Sequence, residues 1–231
     1  AGPTTYATTD RPLRPDHTLG ITMKVTRKAL KQSGAALEAA IRRDIAGAVA
    51  AEMDKAAFLG SGSSGEPLGV IAGAGTYGIT STAVDAMASW AAFREAVVRF
   101  MTGNAASDPA DVRALIRPET WSILDGALTG DGGFKFESDR LRENLGAVVM
   151  SSNALAAPTG GPPLEASALL TTSAGGVAPF WIGAWGAVDV IRDPYSDAAS
   201  GGLRLTALAT RDVAVSRAAQ LEVVTGLQAA A

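Results

Sequence analysis

SGAALEAAIRRDIAGAVAAEMDKAAFLGSGSSGEPLG, residues 33–69, is the stretch whose reading decides the fold. Leu37, Ile41, Ile45, Val49, Met53 and Ala56 recur at spacings of four, four, four, four and three, which draws one apolar stripe along a helix. The pattern predicts a helix over 35–59, roughly 37 Å long at 1.5 Å per residue. Ser33 is placed to cap its N-terminus, and Glu38 lies where the helix dipole favours negative charge. Gly47 costs such a helix about 1 kcal/mol relative to Ala. The Glu38–Arg42 pair returns only a few tenths of that. Gly60 and Gly62 supply the stop, and the chain restarts at Pro67-Leu68-Gly69. A helix this long reads as a spine for a domain of ordinary size.

Upstream, residues 1–20 carry Pro3, Pro12 and Pro15 and no helical period, so they read as loop or extended chain. Ile21, Met23 and Val25 alternate with polar neighbours as a half-buried strand, after which Thr26 caps a short helix over 27–32. Downstream, 68–72 is a short apolar run and 73–84 is loop-like. Trp90, Phe93, Val97, Phe100 and Met101 mark a second amphipathic helix over 88–101. Asp108-Pro109 is a turn or cap, 112–116 a strand, and 118–128 a helix bearing Trp121 and Leu124. A glycine turn at 130–133 leads into a loop or hairpin through Phe134 and Phe136. Residues 148–150 form a strand and 156–163 a Pro/Gly loop. The last third is mostly β, with short strands at 169–170, 179–182 and 187–191. A longer one alternates through Leu203, Leu205, Ala207 and Ala209 and continues through Val213 and Val215, and 221–224 closes the chain. Runs of helix and runs of strand without βαβ alternation indicate an α+β fold.

Composition narrows the functional classes. The chain has 231 residues, 47% hydrophobic and 19% charged, which suits one domain or two small ones sharing a core. A formal net charge of −3 with no Lys/Arg run gives no concentrated basic face for nucleic acid. With no Cys, disulfides and thiolate metal sites are excluded. The 23 uncharged residues over 166–188 are broken by Thr171-Thr172-Ser173, Gly175-Gly176 and Pro179. They read as two strands joined by a turn, and not as a membrane helix.

Each candidate for chemistry meets a plainer reading. Two G-x-G-x-x-G matches occur, Gly60/Gly62/Gly65 and Gly73/Gly75/Gly78. Pyrophosphate binding needs a strand entering and a helix leaving such a loop, with an acidic residue about twenty positions on. The first match follows a helix. The second is followed by the extended Ile79-Thr80-Ser81-Thr82, and Glu95 falls inside a helix. His17, the one histidine, reads as a solvated loop side chain rather than a base, and no Ser sits in a G-x-S-x-G elbow. Asp125, Asp131, Glu137 and Asp139 surround the glycine turn without EF-hand spacing. Trp181 and Trp185 read as core or subunit-contact aromatics. The expectation is therefore no catalytic residues, no cofactor and no metal.

The segment KVTRKALKQSGAALEAAIRRDIAGAVAAEMDKAAFLGSGSSGEPLGVI resembles the core signature of tailed-phage major capsid proteins of the Hong Kong ninety-seven type. In that family a strand, a short helix ending in Ser and a long spine helix are followed by a G-x-G turn and a Pro-x-Gly. VRALIRPETWSILDGAL resembles the strand, Pro and helix of the family's axial domain. WIGAWGAVDVIRDPYSDAASGGLRLTALATRDVAV resembles its C-terminal segment, including the Asp193-Pro194-Tyr195-Ser196 turn. The likeness runs in colinear order over about residues 5–225.

The resemblance implies a peripheral domain from 21–110 and 186–220, built on the 35–59 spine, and an axial domain from 111–185 and 221–231. Residues 1–20 would be the remnant of an extended loop. Only 20 residues precede Ile21, so the family's N-terminal arm and the ascending half of that loop are expected to be missing. The implied role is a self-assembling virion protein whose pentamers and hexamers tile a shell around the genome. Its partners would be other copies of itself, with scaffold, protease and portal proteins, and assembly would take place in the bacterial cytoplasm. DNA would be enclosed without sequence-specific binding, and no membrane is involved. Some members crosslink a loop Lys to an Asn of a neighbour; no Lys precedes Lys24 and no Asn follows Asn153, so that chemistry is not expected. The rival readings are an encapsulin-like nanocompartment shell and, from a different class, a nucleotide-dependent oxidoreductase resting on the second glycine motif.

Overall fold

The computed structural model describes residues 12–130 and 134–229, and the side chains at 30, 33–36, 38 and 229 lie outside that description. The expected Glu38–Arg42 pair, the Asp131 carboxylate and the loop over 1–11 therefore fall outside the described residues. The spine is longer than its stripe predicts. Helix α1 runs without a break over Arg27–Leu59, 33 residues, and is capped by Thr26, whose hydroxyl accepts from Ala29 N at 3.4 Å. Ser33 is thus an interior residue and not a cap. Arg27, Lys28, Ala29, Leu30, Lys31 and Gln32 all favour helix, and a single Gly34 costs only about 1 kcal/mol. With Thr26 already satisfying the first turn, nothing ends the helix at Ser33.

The stripe packs as its spacing requires. Ile41, Ile45 and Val49 are buried, with Leu37 and Met53 partly so, against the inner face of a three-stranded antiparallel sheet. That sheet has the order β1-β7-β6, from β1 (Thr18–Val25), β7 (Leu203–Val215) and β6 (Phe180–Asp193). Leu203, Leu205, Ala207 and Ala209 of β7 meet the helix with Val25 of β1. The outer face carries cross-strand hydroxyl pairs, Thr18–Thr210 at 3.1 Å and Thr22–Thr206 at 3.2 Å. The short strands expected at 179–182 and 187–191 are one strand. A bulge between Trp185 and Asp189, with Gly186 at φ 77°, interrupts the alternation and makes it read as a break.

The second sheet is mixed, in the order β2-β8-β5-β3-β4. Its strands are β2 (Thr80–Met87), β8 (Leu221–Ala229), β5 (Leu164–Thr172), β3 (Val112–Ile116) and β4 (Ala147–Met150). β2 runs parallel to β8 and β4 parallel to β3, while β5 is antiparallel to both of its neighbours. Helices α3 (Trp90–Thr102), α4 (Pro118–Gly126) and α5 (Glu137–Asn144) cover this sheet. Phe93, Val97, Phe100, Leu124 and Leu141 pack with Val112, Ile116, Leu170, Val224 and Leu227. A third apolar cluster, with Ala57, Val70, Ile79, Leu169, Val213, Val215 and Val223, joins the two halves near the short helix α2 (Ala74–Tyr77).

Three elements differ from the sequence reading. The supposed loop over 73–84 contains α2 and the start of β2, and the loop or hairpin through Phe136 gives way at Glu137 to α5. β2 is an exposed edge strand, and α5 buries Leu141 as its one apolar side chain, so neither shows an apolar period. Sheet membership also divides the chain differently from the boundaries at 110 and 185. β2 and α3 belong with the five-stranded sheet, and the first residues of β6 with the three-stranded one.

Ile45 is 1% exposed at the middle of the seam. Ile45→Asp places an unpaired carboxylate there and is expected to cost at least about 3 kcal/mol. A chemical-denaturation midpoint unchanged from the parent would refute the buried seam.

Candidate functional site

The glycine motifs are backbone devices. Gly60 N closes α1 on Ala56 O at 3.0 Å, and Gly69 N returns to Gly60 O at 2.9 Å. A Cβ at Gly60 would lie 2.2 Å from Pro67 O, and one at Gly69 2.5 Å from Phe58 O, so both positions exist for close chain approach. Glu66 braces the turn by accepting from Ser61 N at 3.2 Å and Ser61 Oγ at 3.0 Å, and these bonds hold its carboxyl below the usual carboxylate range. Gly73 and Gly78 bracket the four-residue α2, which is followed by a strand. Neither loop opens a long helix, so the geometry that a dinucleotide needs does not form.

Two of the acidic residues around the glycine turn are engaged in the fold. Glu137 Oε2 accepts from Trp90 N at 2.7 Å and so caps α3, while Asp125 Oδ1 accepts from Ser138 Oγ at 2.9 Å. No group of His, Asp and Glu suited to a metal occurs among the described residues. His17 is less solvated than expected: its side chain is 27% exposed, with Nε2 3.9 Å from Asp212 Oδ1 and Nδ1 buried without a partner. Trp181 and Trp185 are not core residues; they lie 53% and 36% exposed on β6.

Sequence reasoning missed two polar anchors. Glu222, 2% exposed on β8, accepts from Thr82 Oγ1 at 2.9 Å, from Arg99 Nε at 2.9 Å and from Arg99 Nη2. This ties α3 and β2 to β8. Arg117 grips Glu119 with two bonds of 2.9 Å and gives Nη1 to Ser152 O and Leu155 O, which fixes the loop after β4. Such pairs join residues distant in sequence, so only the β8 alternation, broken by a Glu, hints at the first.

The β6–β7 tip is rigidly built. Asp193 accepts from the Ser196 hydroxyl, from Ser196 N at 3.0 Å and from Tyr195 N at 2.8 Å. Asp197 accepts a bidentate Arg204 at 3.1 and 3.0 Å. Both carboxyls are held below their usual range, Asp193 chiefly by Ser196 and Asp197 chiefly by Arg204. Tyr195 stands 84% exposed on this turn. On β6 itself Trp181, Ile182, Trp185 and Ile191 are also exposed. Two further exposed apolar groups lie on the five-stranded half: Leu128, Phe134 and Phe136 at the α4–α5 connection, and Val149 and Met150 on the β4 edge. Met23, Met87, Val98, Met101 and Leu164 are exposed as well, so exposed apolar side chains occur on both halves.

Comparison with known proteins agrees with this picture. The chain belongs to the phage capsid family, which it matches over residues 1–226. It superposes on the capsid of a native GTA particle with a TM-score of 0.67 at 20% identity, covering 95% of this chain and 73% of the other. The capsid of Myoviridae phage XM1 gives 0.67 at 14% identity, covering 91% and 73%. A virus-like particle from Pyrococcus furiosus gives 0.58 at 12% identity, covering 93% and 77%. No curated protein matches by sequence. The α+β architecture is thus the Hong Kong ninety-seven-type capsid fold, and the chain is a major capsid protein, a structural component of a virion. Among the described residues no helix is long and apolar enough to cross a membrane.

Two outcomes follow from these anchors. Arg99→Met leaves the buried Glu222 without its charge partner, Thr82 Oγ1 still donating to it, and is expected to cost about 3 kcal/mol, most of it recovered in Arg99→Met/Glu222→Leu; equal stability of parent and single variant in urea would contradict the anchor. Because the Asp193 and Asp197 pKa values are lowered on folding, their contribution is complete above the ordinary value of about 4 and is lost as pH falls through the lower folded values. The tip amides of Tyr195 and Ser196 should keep their chemical shifts from pH 7 to 5 and move only below about pH 4. Movement centred above pH 5 would show that these bonds are not what orders the turn.

Proposed function

We propose that copies of this chain form pentamers and hexamers that close into an icosahedral shell around a phage genome. Family membership over nearly the whole chain carries the reading, and the placement of the exposed apolar groups supports it. They sit on β6 and its tip, on the α4–α5 connection and on the β4 edge, which are separate borders of one body. A closed shell needs such heterologous contacts on several borders of a rigid wedge. In this reading α1 and the three-stranded sheet form the peripheral unit, and the five-stranded sheet with α3, α4 and α5 forms the axial unit. That assignment moves β2 and α3 to the axial side of the boundary at 110.

In this reading the chain's role is structural, and no group of His, Asp and Glu suited to a metal occurs among the described residues. With a net charge of −3 it encloses DNA without gripping it. Assembly in the bacterial cytoplasm with scaffold, protease and portal proteins completes the proposal. The fold also serves the Pyrococcus particle, so a nanocompartment shell is the rival; the phage family match favours the genome-enclosing role. Cryo-electron microscopy of particles recovered from cells expressing the chain with its neighbouring genes separates the two. Five- and six-fold capsomers enclosing nucleic acid are expected. Shells filled with a protein cargo would support the rival, and the absence of shells would contradict both.

A further inference from the structure

The face of α1 turned away from the sheet follows a rule of its own. Successive helix residues are about 100° apart, so the residue two positions on from each member of the buried stripe lies on the opposite side. Those residues are Ala39, Arg43, Gly47, Ala51 and Lys55, and the same row runs back to Lys31 and Arg27. Each of them is exposed, and a Cβ at Gly47 would meet nothing within 4 Å. Every described member of the row is a cation or a small residue. Asp44, Glu52 and Asp54 lie on the flanks, about a quarter turn away.

Charge divides the helix in two. Residues 27–43 carry five cations against one acid, and residues 44–55 carry one cation, Lys55, against three acids. The cationic part spans about 24 Å. The side chains of Arg27, Lys28, Lys31 and Arg43 form no ion pair or hydrogen bond among the described residues, whereas Lys55 lies 3.9 Å from Glu52. This arrangement works against the helix. Arg27 and Lys28 stand in a first turn that holds no acid, against the dipole, and each has a like charge at Lys31 within reach. A Cβ at Gly201 would lie 2.8 Å from Arg27 Cδ, so the β6–β7 tip adjoins this end of α1. Its acids are already engaged, Asp193 by Ser196 and Asp197 by Arg204 and, at 3.8 Å, Lys24. A cationic row that the subunit itself does not use calls for an anionic partner outside it.

The chemistry of the face selects the partner. A stable protein contact needs large apolar or aromatic anchors at its centre, and no large apolar side chain of α1 is exposed among the described residues. Cations on a low, straight surface suit a duplex, whose phosphates offer one charge per roughly 1.7 Å of axis and demand no pocket. We infer that this face of α1 rests on the phosphate backbone of double-stranded nucleic acid, with Arg27, Lys28, Lys31 and Arg43 as its contacts. It reads no base sequence. The cations escape notice in the linear sequence because the row spaces them four and twelve residues apart, and only the helix aligns them. Four phosphates per copy is a light touch, in keeping with a chain whose net charge is −3. The inference rests on the genome-enclosing reading, and the test keeps the two apart.

Fluorescence anisotropy of a labelled DNA duplex titrated with the full chain tests it. In the parent, affinity should fall roughly a hundredfold as salt rises from about 25 to about 100 mM, the slope of about four phosphate contacts. In Lys31→Gln/Arg43→Gln it should fall only roughly tenfold over the same range. Both side chains are exposed and unpaired, so this variant should melt with the parent. Lys135→Gln/Arg140→Gln removes the same charge from α5 and the loop before it, and should keep the parent's salt slope. No binding by the parent, or a parental slope in Lys31→Gln/Arg43→Gln, would overturn the inference. An equal loss in both double variants would overturn it too, as would polyglutamate binding at least as tightly as the duplex, which would mark the face for an acidic protein. Duplex binding by a chain that forms no shells would keep the face and remove the genome-enclosing reading; shells from a chain that binds no duplex would do the reverse.

Discussion

Everything in this subunit depends on the seam between α1 and β7. A 33-residue helix is about 50 Å long. It has little reason to stay straight and fixed unless one face is buried along much of that length. Ile41, Ile45 and Val49 supply the helix side and Leu203, Leu205, Ala207 and Ala209 the strand side, every one of them under a tenth exposed. The two Ala residues at the centre of β7 let the helix approach closely. β1 and β6 then flank β7 in register, so the seam also orders both edges of the sheet.

The second half is anchored to the first by a small cluster and by polar ties. Ala57, Val70, Val213 and Val223 join the end of the helix to the five-stranded sheet. Glu222 with Arg99 and Thr82 secures α3 and β2 to the interior strand β8 of that sheet, where an unpaired carboxylate would be costly. The result is two sheets and their helices joined through one shared apolar cluster. Rigidity matters for a shell, because a small angular error per contact accumulates around a ring and prevents closure.

Much of this was legible in residue order. The stripe on α1, the alternation of β7, the strand over 112–116 and the Asp108 cap each rest on a local signal that tertiary packing reinforces. The elements that escaped notice lack such a signal. β2 reads TSTAVDAM, an exposed edge held by parallel pairing to β8, more than a hundred residues away. α5 has Leu141 as its one buried apolar anchor, while its Glu137 accepts from Trp90 N at the start of α3 and its Ser138 donates to Asp125 of α4. Ser33 has the chemistry of a cap, but the helix that Thr26 opens continues through it. The partial burial of His17 depends on where β1 meets β7, which no spacing rule reports. Trp181 and Trp185 read equally as core or subunit-contact aromatics in sequence, and only their exposure on β6 removes the first option.

The central claim is that the borders bearing Trp181, Tyr195, Phe134 and Met150 are where copies meet. A reconstruction of the assembled particle at side-chain resolution tests it most directly. The account predicts that these four residues lie in contacts between subunits while α1 keeps its packing on β7. A shell in which all four remain solvent-exposed, or in which α1 leaves β7, would contradict it.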